Sequence, residues 1–331
     1  MPPPGTSPVG KADGSPLRYG GMQAASNAAV LPLFTSKAML TIFPGWWTFR
    51  VRSITILAYS CGDAPGGTVA RTEDAPLPGR PGESALKCLI IAAGMGKRLS
   101  RRAESKPLLE VGGHPLIEWV IDGGFQAGVR EFVVVTGYAS QKVEDYLSAF
   151  APKKGISVSF VRNDEWEREN GLSVYKARHE AGDKFILSMS DHIFDPGILR
   201  DLAGQPIRAD ETILAVDAGV EGNAYVDLED VTKVRVDDGR ISAIGKGIEN
   251  YNAFDTGLFL GTPALFAALK ESQLKGDFTL SGGIRALAAK SKARVMDIGG
   301  RFWIDVDDEK AMRKAAGLLK AGAPATAKGR A

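Results

Sequence analysis

From residue 87 onward, short apolar runs alternate with stretches whose apolar positions recur every three or four residues. These are the two periods that mark strands and amphipathic helices. Residues 87–93 (KCLIIAA), apolar from Cys88 on and ended by a glycine turn, show the pattern of a strand buried on both faces. The pattern then predicts a helix over 115–127, a strand over 131–136 (EFVVVT), a helix over 140–150, a strand over 156–161 and a helix over 170–180. Strands follow over 184–190 (KFILSMS) and 211–216 (ETILAV). This βαβα order predicts an α/β domain with a largely parallel central sheet and helices on both faces. Farther on, residues 231–236 and 240–245 flank Asp237-Asp238-Gly239, a hairpin signal, so the second half departs from simple doubly wound order. Residues 301–304 are strand-like, 307–320 read as a closing helix, and the end of the chain is small and polar. No internal repeat is present.

The first 86 residues differ. They carry 11 of the 18 prolines, with Ser/Gly/Pro clusters at 5–16 and 62–84. Such stretches bury too little apolar surface to offset chain entropy, so 1–86 is expected to be an unstructured extension, 87–316 the working domain and 317–331 a flexible tail. An apolar patch at 29–60 contains Trp46 and Trp47, but Pro32, Lys37, Pro44, Arg50 and Arg52 interrupt it, which argues against a membrane span. No basic region followed by an apolar run opens the chain as in a signal peptide, and Cys61 only loosely resembles a lipoprotein cleavage site. A cytoplasmic location is expected.

Charge and composition narrow the function by exclusion. The 41 Lys+Arg against 39 Asp+Glu leave no basic surplus of the kind a nucleic-acid binder shows. Two cysteines, Cys61 and Cys88, exclude a disulfide scaffold and a cysteine zinc cluster, and three histidines argue against a histidine-rich metal site. Residues 87–316 hold 31 basic against 34 acidic residues, so any anion site must be local. The local surplus lies in Lys97, Arg98, Arg101, Arg102 and Lys106.

That surplus surrounds the most informative segment, 89–98 (LIIAAGMGKR). A strand running into Gly94-x-Gly96-x-Arg98 presents backbone N–H groups at the carboxyl edge of a sheet, where they can cradle a phosphate. A dinucleotide fingerprint would need a glycine at Leu99, and a P-loop would need Ser or Thr at Arg98. A plain strand-to-helix turn explains the glycines alone. It does not explain the two cations that follow at once, or Lys106-Pro107-Leu108 eight residues later, with Gly112-Gly113-His114-Pro115-Leu116 next.

Over residues 87–316 the chain resembles the nucleotidyltransferases that join an NTP to a phosphorylated small molecule. Their pattern is Gly-x-Gly-x-Arg, Lys-Pro-Leu and a Gly-Gly-x-Pro-Leu turn. Within them it is most similar to the CTP:inositol-1-phosphate cytidylyltransferases, through Glu169-Asn170-Gly171-x-Ser173, Ser190-Asp191-His192, Asp255-Thr256-Gly257 and Trp303-Ile304-Asp305-Val306-Asp307. The resemblance implies a Rossmann-like nucleotidyltransferase fold with a mixed, mainly parallel sheet, Mg²⁺ as cofactor, and CTP and inositol 1-phosphate as substrates. Relatives of this kind are often fused to a membrane CDP-alcohol phosphotransferase; no such span follows residue 316, so that activity is expected on a separate polypeptide.

The resemblance also implies roles. Ala92, Ala93, Gly94, Met95, Gly96 and Lys97 would form the nucleotide loop, with Glu169, Asn170 and Ser173 near the base or acceptor. Arg98 would hold the β- and γ-phosphates and Lys106 the α-phosphate, while Lys246 and Asp255 would bind the acceptor. Asp191 and Asp305 would hold the metal. Each has a plainer alternative. Asp191 could cap a helix near Pro196, Asp307 could replace Asp305 or cap the helix at Glu309, Asn170 could cap its own helix, and Lys246 could be a solvated strand-end lysine. His192 and His114 are expected to be structural and Trp303 to be core. The functional alternatives are a hexose 1-phosphate acceptor, phosphocholine with Trp166 and Tyr175 caging the ammonium, and a nucleotide-sensing domain without catalysis.

Overall fold

The computed structural model describes residues 46–51, 54–59, 85–100, 102–221 and 226–322. The chain divides into two units, Met1–Glu73 and Asp74–Ala331. In the first, β1 (Trp46–Val51) and β2 (Ile54–Tyr59) pair antiparallel. The sequence reading assigned no strand there, although both segments are rich in β-branched and aromatic residues, which favour strands. The rest of the expected extension, Arg101, and residues 323–331 of the expected tail lie outside the described residues.

In the second unit, β3 (Lys87–Ala92) leads through a 3₁₀ turn (Lys97–Leu99) and a second one (Lys106–Leu108) to the short strands β4 (Glu110–Val111) and β5 (His114–Pro115). There follow α1 (Leu116–Gln126), β6 (Glu131–Thr136), α2 (Ser140–Lys154), β7 (Ser157–Arg162), α3 (Asn170–Lys176), β8 (Phe185–Met189), β9 (His192–Phe194) and α4 (Pro196–Ala203). The remainder is β10 (Thr212–Asp217), β11 (Lys233–Asp237), β12 (Arg240–Gly245), β13 (Ala253–Gly261), α5 (Pro263–Leu274), α6 (Leu280–Ala288), β14 (Ala293–Asp297), β15 (Trp303–Asp305) and α7 (Glu309–Lys320). The strands and helices expected from periodicity up to β12 are present, with ends displaced by a few residues. Among the described residues no helix is long and apolar enough to cross a membrane.

Nine strands form one mixed sheet in the order β10-β14-β12-β11-β13-β8-β3-β6-β7. The expectation of a mainly parallel sheet describes one half, β8-β3-β6-β7, in which every pairing is parallel. In the other half only β10–β14 is parallel and five pairings are antiparallel. The cause is β13, which runs antiparallel to both β8 and β10 and which the sequence pattern does not mark as a strand, together with the β11–β12 hairpin.

Alternate residues of β3 enter different cores, which is why the strand has no polar position after Lys87. Cys88 and Ile90 pack with Ile117, Val120, Val143, Leu147 and Ile198 of α1, α2 and α4. Leu89 and Ile91 pack with Val174, Leu265, Leu269 and Ile284 of α3, α5 and α6. A third cluster joins Leu99 and Leu109 to Ile193, Ile304 and Ala315, which fixes α7 against the segment after β3.

Candidate active site

The parallel strands β3 and β8 end side by side, and Ser190 N–H donates to the Ile91 carbonyl at 3.1 Å. Asp191 therefore stands at the carboxyl edge of the sheet, where open α/β folds bind ligands. The chain then turns into β9, which pairs antiparallel with β15 so that His192 faces Asp305. The Val306 N–H donates to the Asp191 carbonyl at 3.0 Å. This short ladder brings together two carboxylates more than a hundred residues apart. Asp191 and Asp307 do not serve as the caps that sequence allowed: Asp195 caps α4 through the Gly197 N–H at 2.7 Å, and Asp308 caps α7 through the Ala311 N–H at 2.7 Å.

Lys106 lies at the centre. Its side chain is 8% exposed, and Nζ donates to Asp191 Oδ2 at 2.5 Å and to Asp307 Oδ1. Gly96 makes room for it: at φ +64°, a Cβ there would stand 2.6 Å from the Lys106 Cβ. Only glycine combines that backbone with that contact. Arg98 Nη1 reaches Asp230 Oδ2 at 2.6 Å and Nη2 reaches Asp307 Oδ2 at 2.8 Å. Lys246 also binds Asp230. His192 Nδ1 hydrogen-bonds Asp191 Oδ1 at 2.8 Å, and its ring stacks on Trp303 at 6.4 Å. Gly257, at φ +73°, leaves space for that ring, because a Cβ would lie 2.6 Å from His192 Nε2.

The electrostatics follow from burial opposed by pairing. Burial alone would lower the Lys106 ammonium, but Asp191, Asp305 and Asp307 outweigh it and hold it above the ordinary lysine value. Burial alone would raise Asp191, but Lys106 and His192 hold it well below the usual carboxylate range. His192 is raised to about 9 because Asp305 and Asp191 outweigh its burial. Asp305 is raised to about 7, first by burial, with the attraction of His192 opposed by Asp191 and Asp307. Asp255 rises to about 6 by burial, against the Gly257 N–H and His192. Asp230 falls to about 2 through Lys246, against its own burial and with help from Arg98.

A cavity of about 450 Å³ opens over these groups. Of the expected site residues, Gly94, Gly96, Arg98, Lys106, Asn170, Asp191, Lys246, Asp255 and Asp305 line it. Ala92, Ala93, Met95, Lys97, Glu169 and Ser173 are not among its lining. Ala92 and Ala93 are buried behind the loop, and Lys97 is exposed. Asn170 does not cap its own helix; its Oδ1 accepts from the Leu280 N–H at the start of α6, at 2.9 Å. Ser173 is buried and accepts from Asn163 Nδ2 at 2.9 Å. Trp303 is buried and donates from Nε1 to Asp217 at 2.9 Å, and His114 stands exposed beside Glu118. Sequence reasoning missed Asp227, Asp230, Thr232, Ser281, Lys310 and Lys314, all of which line the cavity. The acidic run 227–230 was the available signal for Asp230, but only its contacts with Arg98 and Lys246 give it a place.

Asp191, His192 and Asp305 each present a ligand atom within 4.8 Å of the others. Asp305 Oδ1 is buried without a hydrogen-bond partner, which a bound cation would supply. His192 Nδ1 is engaged with Asp191. Besides the His192 Nε2, the group offers carboxylate oxygens of Asp191 and Asp305, which suit a hard divalent cation such as Mg²⁺.

The chain is 32% identical over 230 residues to the bifunctional IPC transferase and DIPP synthase of Aquifex aeolicus, covering 69% of this chain and 50% of the relative. Identity to the protein of the same name from Archaeoglobus fulgidus is 31% over 231 residues, covering 70% of this chain and 43% of that one. The chain thus spans about half the length of these curated relatives. The fold matches the inositol-1-phosphate CTP transferase structure from T. maritima with a TM-score of 0.63 at 24% identity, over 72% of this chain and 98% of that one. Residues 88–293 match the family model of the MobA-like NTP transferase domain, and with the glycine loop, Lys106 and the carboxylates at one sheet edge the chain belongs to that nucleotidyltransferase family.

Proposed function

We propose that this chain is a Mg²⁺-dependent cytidylyltransferase that converts CTP and inositol 1-phosphate to CDP-inositol and pyrophosphate. One observation carries the catalytic part: Arg98, Lys106 and Lys246 converge with Asp191 and Asp305 on a single cavity. The choice of CTP and inositol 1-phosphate rests on the motifs at 169–173, 190–192 and 303–307 and on the names of the relatives.

In this reaction an oxygen of the acceptor's phosphate attacks the α-phosphorus, and the bond from that phosphorus to the β-phosphate's bridging oxygen breaks. The nucleophile is a phosphate monoester with a second pKa of about 6, so it ionises without a general base. The protein's task is to align two polyanions and stabilise the charge that develops between them. Arg98 and the Gly94–Gly96 turn face the triphosphate, Lys106 the α-phosphate, and Lys246 the acceptor's phosphate. Asp255 offers a carboxylate oxygen to acceptor hydroxyls. Asp191 and Asp305 would hold Mg²⁺, which supplies Lewis-acid polarisation of phosphate oxygens. Trp166 and Tyr175, the aromatic pair that a quaternary ammonium would use, pack against the core and are not among the cavity lining, which disfavours phosphocholine.

The test is a pyrophosphate-release assay over four NTPs crossed with inositol 1-phosphate, glucose 1-phosphate, mannose 1-phosphate and phosphocholine, with and without Mg²⁺. The expected result is the highest kcat/KM for CTP with inositol 1-phosphate. A better substrate pair replaces the acceptor or base assignment, and no turnover with any pair favours a nucleotide-sensing role.

A further inference from the structure

We propose that Lys310 and Lys314 of α7 bind the pyrophosphate end of the nucleoside triphosphate. The proposal rests on the nucleotidyl-transfer reading above and adds residues that neither the glycine loop nor its motifs contain.

Lys310, Ala311 and Lys314 all line the catalytic cavity, so this face of α7 forms part of its wall. Lysines four residues apart on one helix face repel each other. The Lys314 ammonium is held below the ordinary lysine value, first by burial and then by Lys310, with Asp227 opposing. A bound polyanion offsets the repulsion between the two lysines on this wall.

The position of α7 identifies which anion. Arg102 grips Glu309, the residue before Lys310, through two bonds of 3.0 and 3.1 Å. Arg98 reaches Asp307 on the same approach to the helix. Leu99 shares an apolar cluster with Ala315 and Met312. The helix is thus packed onto the segment that follows the glycine loop, so its lysines flank the loop where the triphosphate is expected. The cations already assigned are heavily shared in the ligand-free site. Arg98 is divided between Asp230 and Asp307, and Lys106 is held by Asp191 and Asp307. Lys310 and Lys314 line the same cavity as Arg98 and Lys106, so α7 adds two cations to the positive charge available to a pyrophosphate leaving group.

The experiment is calorimetric titration of inorganic pyrophosphate into the full-length chain, in the wild type, Lys310→Ala/Lys314→Ala and Lys310→Arg/Lys314→Arg. Alanine is a strong helix former, so the first variant keeps α7, and a circular dichroism spectrum checks it; Lys310→Met/Lys314→Met replaces it if it unfolds. Each lost charge-assisted contact is expected to weaken pyrophosphate binding on the order of tenfold. The KM for NTP and the inhibition constant of pyrophosphate should rise together while the KM for the acceptor stays unchanged, and the arginine variant should retain binding. Wild-type pyrophosphate affinity in the alanine variant, or a rise confined to the acceptor's KM, overturns the assignment. A wild-type chain that binds no pyrophosphate and turns over no NTP overturns the nucleotidyl-transfer reading itself, so the two failures are distinct.

Discussion

Replacing Lys106 by Met keeps the stem that packs over Gly96 and removes only the charge. The ammonium is almost fully buried and serves Asp191, whose side chain is 21% exposed, and Asp307, at 31%. Breaking a buried ion pair by removing one partner costs about 3–5 kcal/mol, because the other charge is left without compensation. Asp191 keeps His192 at 2.8 Å, and Asp307 can be hydrated, so the loss should fall at the lower end of that range, about 3 kcal/mol. In a domain of this size each kcal/mol moves Tm by about 2–4 °C, which gives a decrease of roughly 6–12 °C. The measurement is thermal unfolding of both proteins at pH 7.5 with chelator present. The sign with pH follows from Asp191. Its carboxyl is held below the ordinary value, so its stabilisation is present above about pH 4 and lost as pH falls through the folded value. The Tm gap between wild type and variant should therefore be full at neutral pH and narrow below about pH 4. In the pyrophosphate-release assay kcat should fall about 10²–10³-fold, as when one donor to a developing oxyanion is removed, with a smaller change in KM. Equal Tm values at pH 7.5 would refute the electrostatic account of this site, and a change in KM alone would reduce Lys106 to a binding residue.

Asp305→Asn should abolish the rise in Tm that Mg²⁺ produces in the wild type. Without metal, the variant should be the more stable protein above pH 7, because a buried carboxyl raised to about 7 contributes stability that is lost as pH climbs through that value; a retained Mg²⁺ shift would move the metal assignment to another residue. Gly257→Ala places a methyl 2.6 Å from His192 Nε2 at φ +73°, so it should cost about 1–2 kcal/mol for the backbone alone and lower kcat by displacing the ring; unfolding curves and kinetics matching the wild type would show that the ring's position is immaterial. Asp230→Asn releases Arg98 and Lys246 from a carboxylate held near 2, and the KM for both substrates should fall severalfold; a rise in both would show that Asp230 orients these cations rather than competing with phosphate for them.

The half of the fold built on β3, β6, β7 and β8 was legible in sequence because β3, β6 and β8 are buried on both faces, the edge strand β7 alternates half-buried and exposed positions, and α2 turns one apolar face to the core. The other half was less so. The segment forming β13 contains Asp255, Thr256 and Gly257, which break a strand's pattern for the sake of the site: Asp255 turns back to the Gly257 N–H at 2.8 Å, and Gly257 yields to His192. The three-residue strands β9 and β15 are too short for any periodicity to show. Yet they carry the register that sets Asp305 beside Asp191, and only the resemblance pointed to that pair. Ser173 shows the opposite limit. A hydroxyl in a motif beside the site is indistinguishable in sequence from one that reaches the site, and in the structure it supports Asn163 instead. Nothing in the sequence singles out Lys310 and Lys314; the docking of α7 through Leu99 and Glu309 sets them on the cavity wall.

The near-neutral charge of residues 87–316 acquires a physical meaning from these contacts. A preformed cluster of bare cations would destabilise the fold by self-repulsion and attract any anion. Here Arg98, Lys106 and Lys246 are each held by carboxylates before any ligand arrives. On the proposed function, phosphate binding would be an exchange of partners, its net energy the difference between two sets of ion pairs rather than the full strength of one. Selectivity follows from that difference. A single phosphate at Lys246 would compete with one carboxylate, Asp230, whereas a triphosphate spanning Arg98, Lys106 and α7 would compete with Asp230, Asp307 and Asp191 together. Only a ligand that presents several phosphates in the right spacing would then displace them all, and the same carboxylates would receive the cations when the products leave.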